Sequence, residues 1–152
     1  MKKILISGGN GNFAQAILKN NKNFKIFAPN KKQMNILKYN TIANYIKKTK
    51  AEVFIHSAAL TTPMSRHKLE IEQSIDTNII GSANVAKACH LYNIKLIYIS
   101  TNFVYPGLKG NYKETDSLMP VNEYGWSKLG GECAAKLCKN HLILRLCMTD
   151  DN

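Results

Sequence analysis

Apolar and polar positions along this chain keep two rhythms that take turns from the N-terminus onward. Short apolar runs predict strands at Lys3–Ser7, Phe24–Ala28, Glu52–His56, Lys95–Ser100 and His141–Cys147. Between them, apolar residues recur at helical spacing. Phe13, Ala14, Ile17 and Leu18 follow the first run, and Thr41–Thr49 predicts a helix with Ile42, Tyr45 and Ile46 inward. Another helix is expected from Asp76 to Tyr92, its inner face carrying Ile79, Ala83, Ala86 and His90 or Leu91, and a last one over Val121–Asn140. Met34–Leu37 has the length of a short edge strand, and a polar loop holds Pro63. Thr101 to Pro120 reads as one long loop punctuated by Pro106-Gly107, Gly110-Asn111 and Asp116-Ser117, and loops of that length inside a compact domain usually serve function.

Strands alternating with helices imply βαβ units with right-handed crossovers. The expected fold class is α/β, a Rossmann-like doubly wound parallel sheet with helices on both faces, in one domain over residues 1–152. Ligands of such sheets bind outside the carboxyl ends of the strands. Ser7-Gly8, His56-Ser57-Ala58, Ser100-Thr101 and Leu146-Cys147 all fall at those ends.

The formal net charge is +11, and its placement is uneven. Residues 1–50 hold eleven lysines and no acid, so the remainder of the chain is balanced. These lysines are scattered between apolar positions without aromatic interleaving, which reads as solvated helix faces with some attraction for an anionic ligand and excludes nucleic acid from the expected partners. No apolar run approaches the ~20 residues of a spanning helix, so no membrane partner is expected. The basic, apolar start of the chain is too short for a signal-peptide core and reads as the first strand. Cys89, Cys133, Cys138 and Cys147 lack metal-ligand spacing, and three sit in apolar contexts, so buried free thiols and a cytoplasmic location are expected. His67, His90 and His141 share no spacing with cysteines or carboxylates, so no metal is expected.

Ser7-Gly8-Gly9-Asn10-Gly11-Asn12-Phe13-Ala14 joins the first strand to the first helix. It fits G-x-x-G-x-x-A through Gly8, Gly11 and Ala14, or G-x-G-x-x-A through Gly9, Gly11 and Ala14. Either pattern lets the backbone approach a pyrophosphate, with the helix N-terminus supplying N–H donors. The tip of the second strand, Ala28-Pro29-Asn30-Lys31-Lys32, lacks the acid that would hold an adenosine ribose, and its lysines favour the 2′-phosphate of NADP over NAD. In Tyr124-Gly-Trp-Ser-Lys128 the phenol and the ammonium share a helix face, where the charge is expected to lower the phenol pKa and make it a proton donor. Of the two hydroxyls at the end of the fourth strand, Ser100 and Thr101 must face opposite ways. Arg145 is expected to meet a buried acceptor, Trp126 to be half-buried, and His56 to be a strand-end residue rather than a catalyst.

Together these residues resemble the extended short-chain dehydrogenases/reductases, the NAD(P)-dependent sugar-nucleotide epimerases, dehydratases and reductases. The segments Ile99-Ser-Thr-Asn-Phe-Val-Tyr-Pro-Gly, Gly110-Asn-Tyr-Lys-Glu-Thr-Asp and Tyr124-Gly-Trp-Ser-Lys128-Leu-Gly-Gly-Glu132 look most like the dTDP-4-dehydrorhamnose reductase branch. The resemblance implies a cofactor set of Gly8, Asn10, Gly11, Asn12, Phe13, Asn30, Lys31, Ser57, Ala58, Ala59, Ser100, Tyr124 and Lys128. It also implies a catalytic set: Thr101 bonding the substrate oxygen, Tyr124 exchanging the proton, and Lys128 holding the nicotinamide ribose and depressing the phenol pKa. Asn78 would steady the neighbouring strand through its amide. The implied reaction is hydride transfer at a keto carbon of a nucleotide-activated sugar, with NADP or NAD as cofactor. Two positions depart from that pattern, Asn102 and Asn35, each standing where an Asp is usual. The resemblance further implies that the C-terminal substrate domain is absent from these 152 residues. A homo-oligomer or a partner chain would then complete the pocket, and a non-catalytic NAD(P)-binding regulatory or truncated module is the alternative.

Overall fold

In the computed structural model, which describes residues 1–147, five strands form one fully parallel sheet in the order β2-β1-β3-β4-β5. The strands are β1 (Lys3–Ser7), β2 (Lys25–Phe27), β3 (Val53–His56), β4 (Lys95–Thr101) and β5 (His141–Leu146). Registers such as Leu5 beside Phe54, Phe54 beside Leu96 and Ser100 beside Arg145 align the strands so that their carboxyl ends share one edge. The order in which strands are added reverses between β1 and β3, which opens a crevice above that edge. Positions 148–152 of the expected domain lie outside the described residues.

The two faces of the sheet are covered unequally. Helix α1 (Asn12–Asn20) seals one face, with Ala14 buried against Ile4, Ile6 and Val53. Helices α2 (Tyr39–Thr49), α5 (Gly81–Leu91) and α6 (Glu123–Lys136) cover the other, where Ile42, Ile46, Val85, Cys89 and Ala135 pack on Leu5, Phe54, Leu96 and Tyr98. Two short helices, α3 (Arg66–Leu69) and α4 (Ile71–Ser74), lead into a π-helical turn over Ile75–Ile80 that runs directly into α5. No helix among the described residues is long and apolar enough to cross a membrane.

Several expectations change on contact with the fold. Met34–Leu37 is not a strand: Asn30 Oδ1 accepts the N–H groups of Lys32 and Gln33, and Asn35 Oδ1 accepts that of Leu37. These local turns consume the donors a ladder would need, and Met34 and Ile36 turn into the core instead. The inner face of the π-turn and α5 is also different. Ala83, His90 and Leu91 are exposed, while Asn78, Ser82, Val85, Ala86 and Cys89 are buried. Apolar periodicity misses this face because two of its members are polar residues with their hydrogen bonds satisfied internally. Gly81 permits the arrangement, since a Cβ there would lie 2.6 Å from Ile36 Cδ1. Helix α6 starts later than expected because Asn122 caps it, its Oδ1 accepting from Gly125 N at 2.8 Å. It ends earlier as well, in tight turns at Leu137 and Cys138 that deliver His141 to β5. Cys89 and Cys138 are buried free thiols, whereas Cys133 and Cys147 are exposed, and Trp126 is exposed rather than half-buried.

Candidate functional site

The glycine turn is shaped by contacts that only a missing side chain allows. Gly8 has φ +76°, and a Cβ on it would lie 3.0 Å from Ala58 Cα. A Cβ on Gly9 would lie 2.0 Å from Ala28 O, so the turn rests directly on the backbone leaving β2, where Gly9 N donates to Pro29 O at 3.1 Å. Gly11 N closes the turn on Gly8 O at 2.8 Å, and Gln15 Nε2 clamps Gly9 O. Both glycine readings of the motif therefore describe real constraints, one on φ and one on approach.

Above the turn lies a cleft of about 420 Å³. Among the predicted residues Gly8, Asn10, Gly11, Lys31, Ser57, Ala58 and Ala59 line it. Gly9, Met34–Leu37, Leu60, Arg66, Gln73 and Thr77 complete the lining, and of these only Gly9 and Asn35 carried a sequence signal. Asn12, Phe13, Asn30, Ser100, Tyr124 and Lys128 are not part of the lining; the Asn30 carboxamide is spent on its own turn. A larger groove of about 760 Å³ runs along β5 past Tyr105 and Tyr112, and it contains no predicted site residue.

The second cluster sits where β4 meets α6. Thr101 ends the strand, and the Asn122 cap sets Tyr124 in the first turn of α6; both side chains are buried. His67 and Phe103 box the Tyr124 ring, with centroid separations of 5.0 and 5.9 Å. Gly125 lets Phe103 approach, since a Cβ there would lie 2.4 Å from Phe103 O. Lys128, one turn on, donates from Nζ to Ile99 O at 2.7 Å and lies 4.4 Å from the centre of the Tyr98 ring. Ser100 faces the opposite way and is not directed at the cleft: its hydroxyl donates to Glu132 Oε1 at 2.5 Å. Arg145 meets the same carboxylate at 3.0 and 2.8 Å, which is its buried acceptor. The Glu132 role had no signal beyond its place in the quoted segment.

The electrostatics of this cluster depart from the expectation. Burial raises the Tyr124 phenol above its ordinary range, and the Thr101 hydroxyl draws it partly back. Lys128 is not a cause of that shift, so the predicted depression by the ammonium is corrected: Nζ is spent on Ile99 O and the Tyr98 ring. Lys128 itself is pushed down to about 7 by burial, with Glu132 pulling the other way. His56 is held neutral, at about 3, first by burial and then by Lys128.

A directed hydrogen-bond chain joins the two clusters. Ser82 donates to Asn78 O, so its oxygen accepts from His56 Nε2–H at 3.0 Å. His56 Nδ1 is then the acceptor for Ser7 Oγ–H at 2.7 Å. Asn78 exchanges two bonds with the Leu60 backbone and donates to Ser127 Oγ, which donates to Tyr124 O. Asn78 thus steadies the segment after β3 and the start of α6, rather than a strand. Among the described residues no group of His, Cys, Asp and Glu is placed to hold a metal ion.

Comparison with known proteins gives this geometry a context. A family model described as the RmlD substrate binding domain matches residues 1–149. The dTDP-4-dehydrorhamnose reductase of Aggregatibacter actinomycetemcomitans is 30% identical over 98% of this chain and 52% of its own length. The methionine adenosyltransferase 2 subunit beta of Bos taurus is 31% identical over 88% of this chain and 42% of its own length. A crystal structure of dTDP-4-dehydrorhamnose reductase from Bacillus anthracis in complex with NADP superposes with a TM-score of 0.90 at 30% identity, covering 95% of this chain and 53% of that one. The chain spans about half the length of the curated relatives it matches.

Proposed function

The chain belongs to the RmlD substrate-binding-domain family, and we propose that it is the NAD(P)-binding part of a reductase acting on the keto group of a nucleotide-activated sugar. The observation that carries this reading is the convergence, at one sheet edge, of a glycine-turn cleft with the buried Thr101 and Tyr124. The cleft fits a dinucleotide by its lining: Gly8, Gly9 and Gly11 present bare backbone to it, and Lys31 and Arg66 add positive charge. Gly8, Gly11 and the start of α1 would hold the pyrophosphate, and Ala58-Ala59 would flank the adenosine side. When bound, the reduced nicotinamide supplies a hydride.

Reduction of a carbonyl leaves negative charge on oxygen, and the residues here are suited to that moment. Tyr124, with its pKa raised by burial, keeps its proton at Oη at neutral pH until an alkoxide forms. Thr101 offers a hydroxyl to the same oxygen. Lys128, buried and near neutrality in its titration, is proposed to reach the ribose by exchanging its bond to Ile99 O.

The relative named as a transferase subunit supports a second reading, a dinucleotide-binding module that acts within another enzyme. One experiment separates the two. NADPH binding to the purified chain is measured by calorimetry, and reduction of dTDP-4-dehydrorhamnose is followed with wild type and Tyr124→Phe. The reductase reading expects turnover that falls by about 10²–10⁴-fold in the variant while NADPH affinity stays unchanged. Binding without turnover in the wild type favours the module, and absence of NADPH binding overturns both.

A further inference from the structure

The segment that follows Pro63 makes an unusual choice of what to bury. Leu69 is 80% exposed and Ile71 56% exposed, yet His67 between Arg66 and Lys68 is completely buried. Apolar packing alone would select the leucine. The imidazole instead lies against Tyr124, with ring centroids 5.0 Å apart and planes at 52°. Both of its nitrogens are committed. Thr61 O, 3.3 Å from Nε2, can only accept, so Nε2 carries the proton. Nδ1 then accepts from Ser74 Oγ at 2.7 Å. Burial keeps the ring neutral, and these partners then hold it in one tautomer and one orientation between the segment after β3 and the last residue of α4.

We propose that His67 is a positioning residue for Tyr124: its imidazole, locked by Thr61 and Ser74, packs against the phenol ring and sets the direction of the hydroxyl. The preceding residue strengthens the assignment. Arg66 lines the dinucleotide cleft and is held there by Glu70 at 2.8 and 3.0 Å and by Gln73 at 2.5 Å. Consecutive residues of one short helix therefore address the two halves of the site, Arg66 the cleft and His67 the tyrosine. The proposal rests on the reading of Tyr124 as the proton donor.

The test is NMR of the full chain carrying ring-labelled tyrosine, with Tyr124→Phe used to assign the signal. His67→Asn keeps hydrogen-bonding capacity without a comparable ring, and His67→Phe keeps the ring without the hydrogen bonds. The Tyr124 ring signals are expected to shift in His67→Asn and to return toward wild type in His67→Phe. Ser74→Ala, which leaves the imidazole in place with one bond fewer, is expected to shift the same signals by less; it decides the matter if the Asn variant does not fold. Unmoved Tyr124 signals in His67→Asn or, where that variant does not fold, in Ser74→Ala would overturn the proposal. So would rescue by Asn but not by Phe, which would mark His67 as a purely structural hydrogen-bonding residue. NADPH added to each sample tests the underlying reading separately: no NADPH-dependent shift in any variant counts against dinucleotide binding, whatever the Tyr124 signals do.

Discussion

The two ends of the candidate site are built from different materials. At the β1–β3 end, the turn from Gly8 to Gly11 works through backbone atoms, and Asn10, Gly11, Asn12 and Lys31 are exposed. At the β4–β5 end, Thr101, Tyr124, Lys128 and Glu132 are all buried, and each acts through its side chain. A backbone site asks only that nothing occupy the space where the ligand and the neighbouring strand approach. A buried side-chain site must satisfy every polar atom it removes from water, so its chemistry depends on partners several elements away. Substitutions should therefore act sterically at the first end and electrostatically at the second.

Glu132→Ala is the most severe way to press that contrast. It leaves Arg145 and the Ser100 hydroxyl without their shared acceptor in a buried place, and breaking such a pair typically costs about 3–5 kcal/mol. Urea unfolding measures it, and a loss below about 1 kcal/mol would mean the pair is solvated like a surface one. Gly9→Ala follows. With Ala28 O 2.0 Å from the new Cβ, the turn and the β2 exit must separate, at a cost of about 1–3 kcal/mol and with loss of NADPH binding in titration.

Lys128 gives a pH signature that the glycine end cannot give. Its folded pKa of about 7 lies below its ordinary 10.5, so above pH 7 the unfolded chain binds more protons than the folded one. This group's contribution to stability therefore rises with pH from about 7 to 10.5, and its loss on acidification is complete once pH falls below about 7. Cys89 acts in the opposite sense only from its ordinary range near 9 upward, so the window between about 7 and 9 isolates the lysine. Thermal unfolding of Lys128→Met across that window should lose the rise seen in the wild type. Smallest of all is Lys31→Ala at the exposed end. It should weaken NADPH by about fivefold and NADH hardly at all, since an exposed charge contact is worth up to about 1 kcal/mol. Equal effects on both dinucleotides would remove the reason for favouring NADP.

What the chain states locally, it states clearly. Alternating runs predict five strands and the long helices between them, because burial on a sheet or a helix face imposes a period that a sequence records. The glycine turn is legible for the same kind of reason: φ +76° at Gly8 and the close approach at Gly9 are demands that a missing side chain answers directly. Misreadings cluster where polar side chains stand in for backbone or apolar partners. Asn30 and Asn35 dissolve an expected edge strand, and Asn78 and Ser82 take the inner face of the π-turn and the helix that follows it.

Only the tertiary structure decided the state of the Tyr124–Lys128 pair. Spacing of four residues put both on one helix face, yet Ile99 O and the Tyr98 ring captured the ammonium, and burial moved the phenol the other way. His67 likewise entered the site from a segment with no motif of its own, and Glu132 took its role through partners on β4 and β5. A pKa is set by the dielectric and the charges around a group in space, and the sequence on its own states neither.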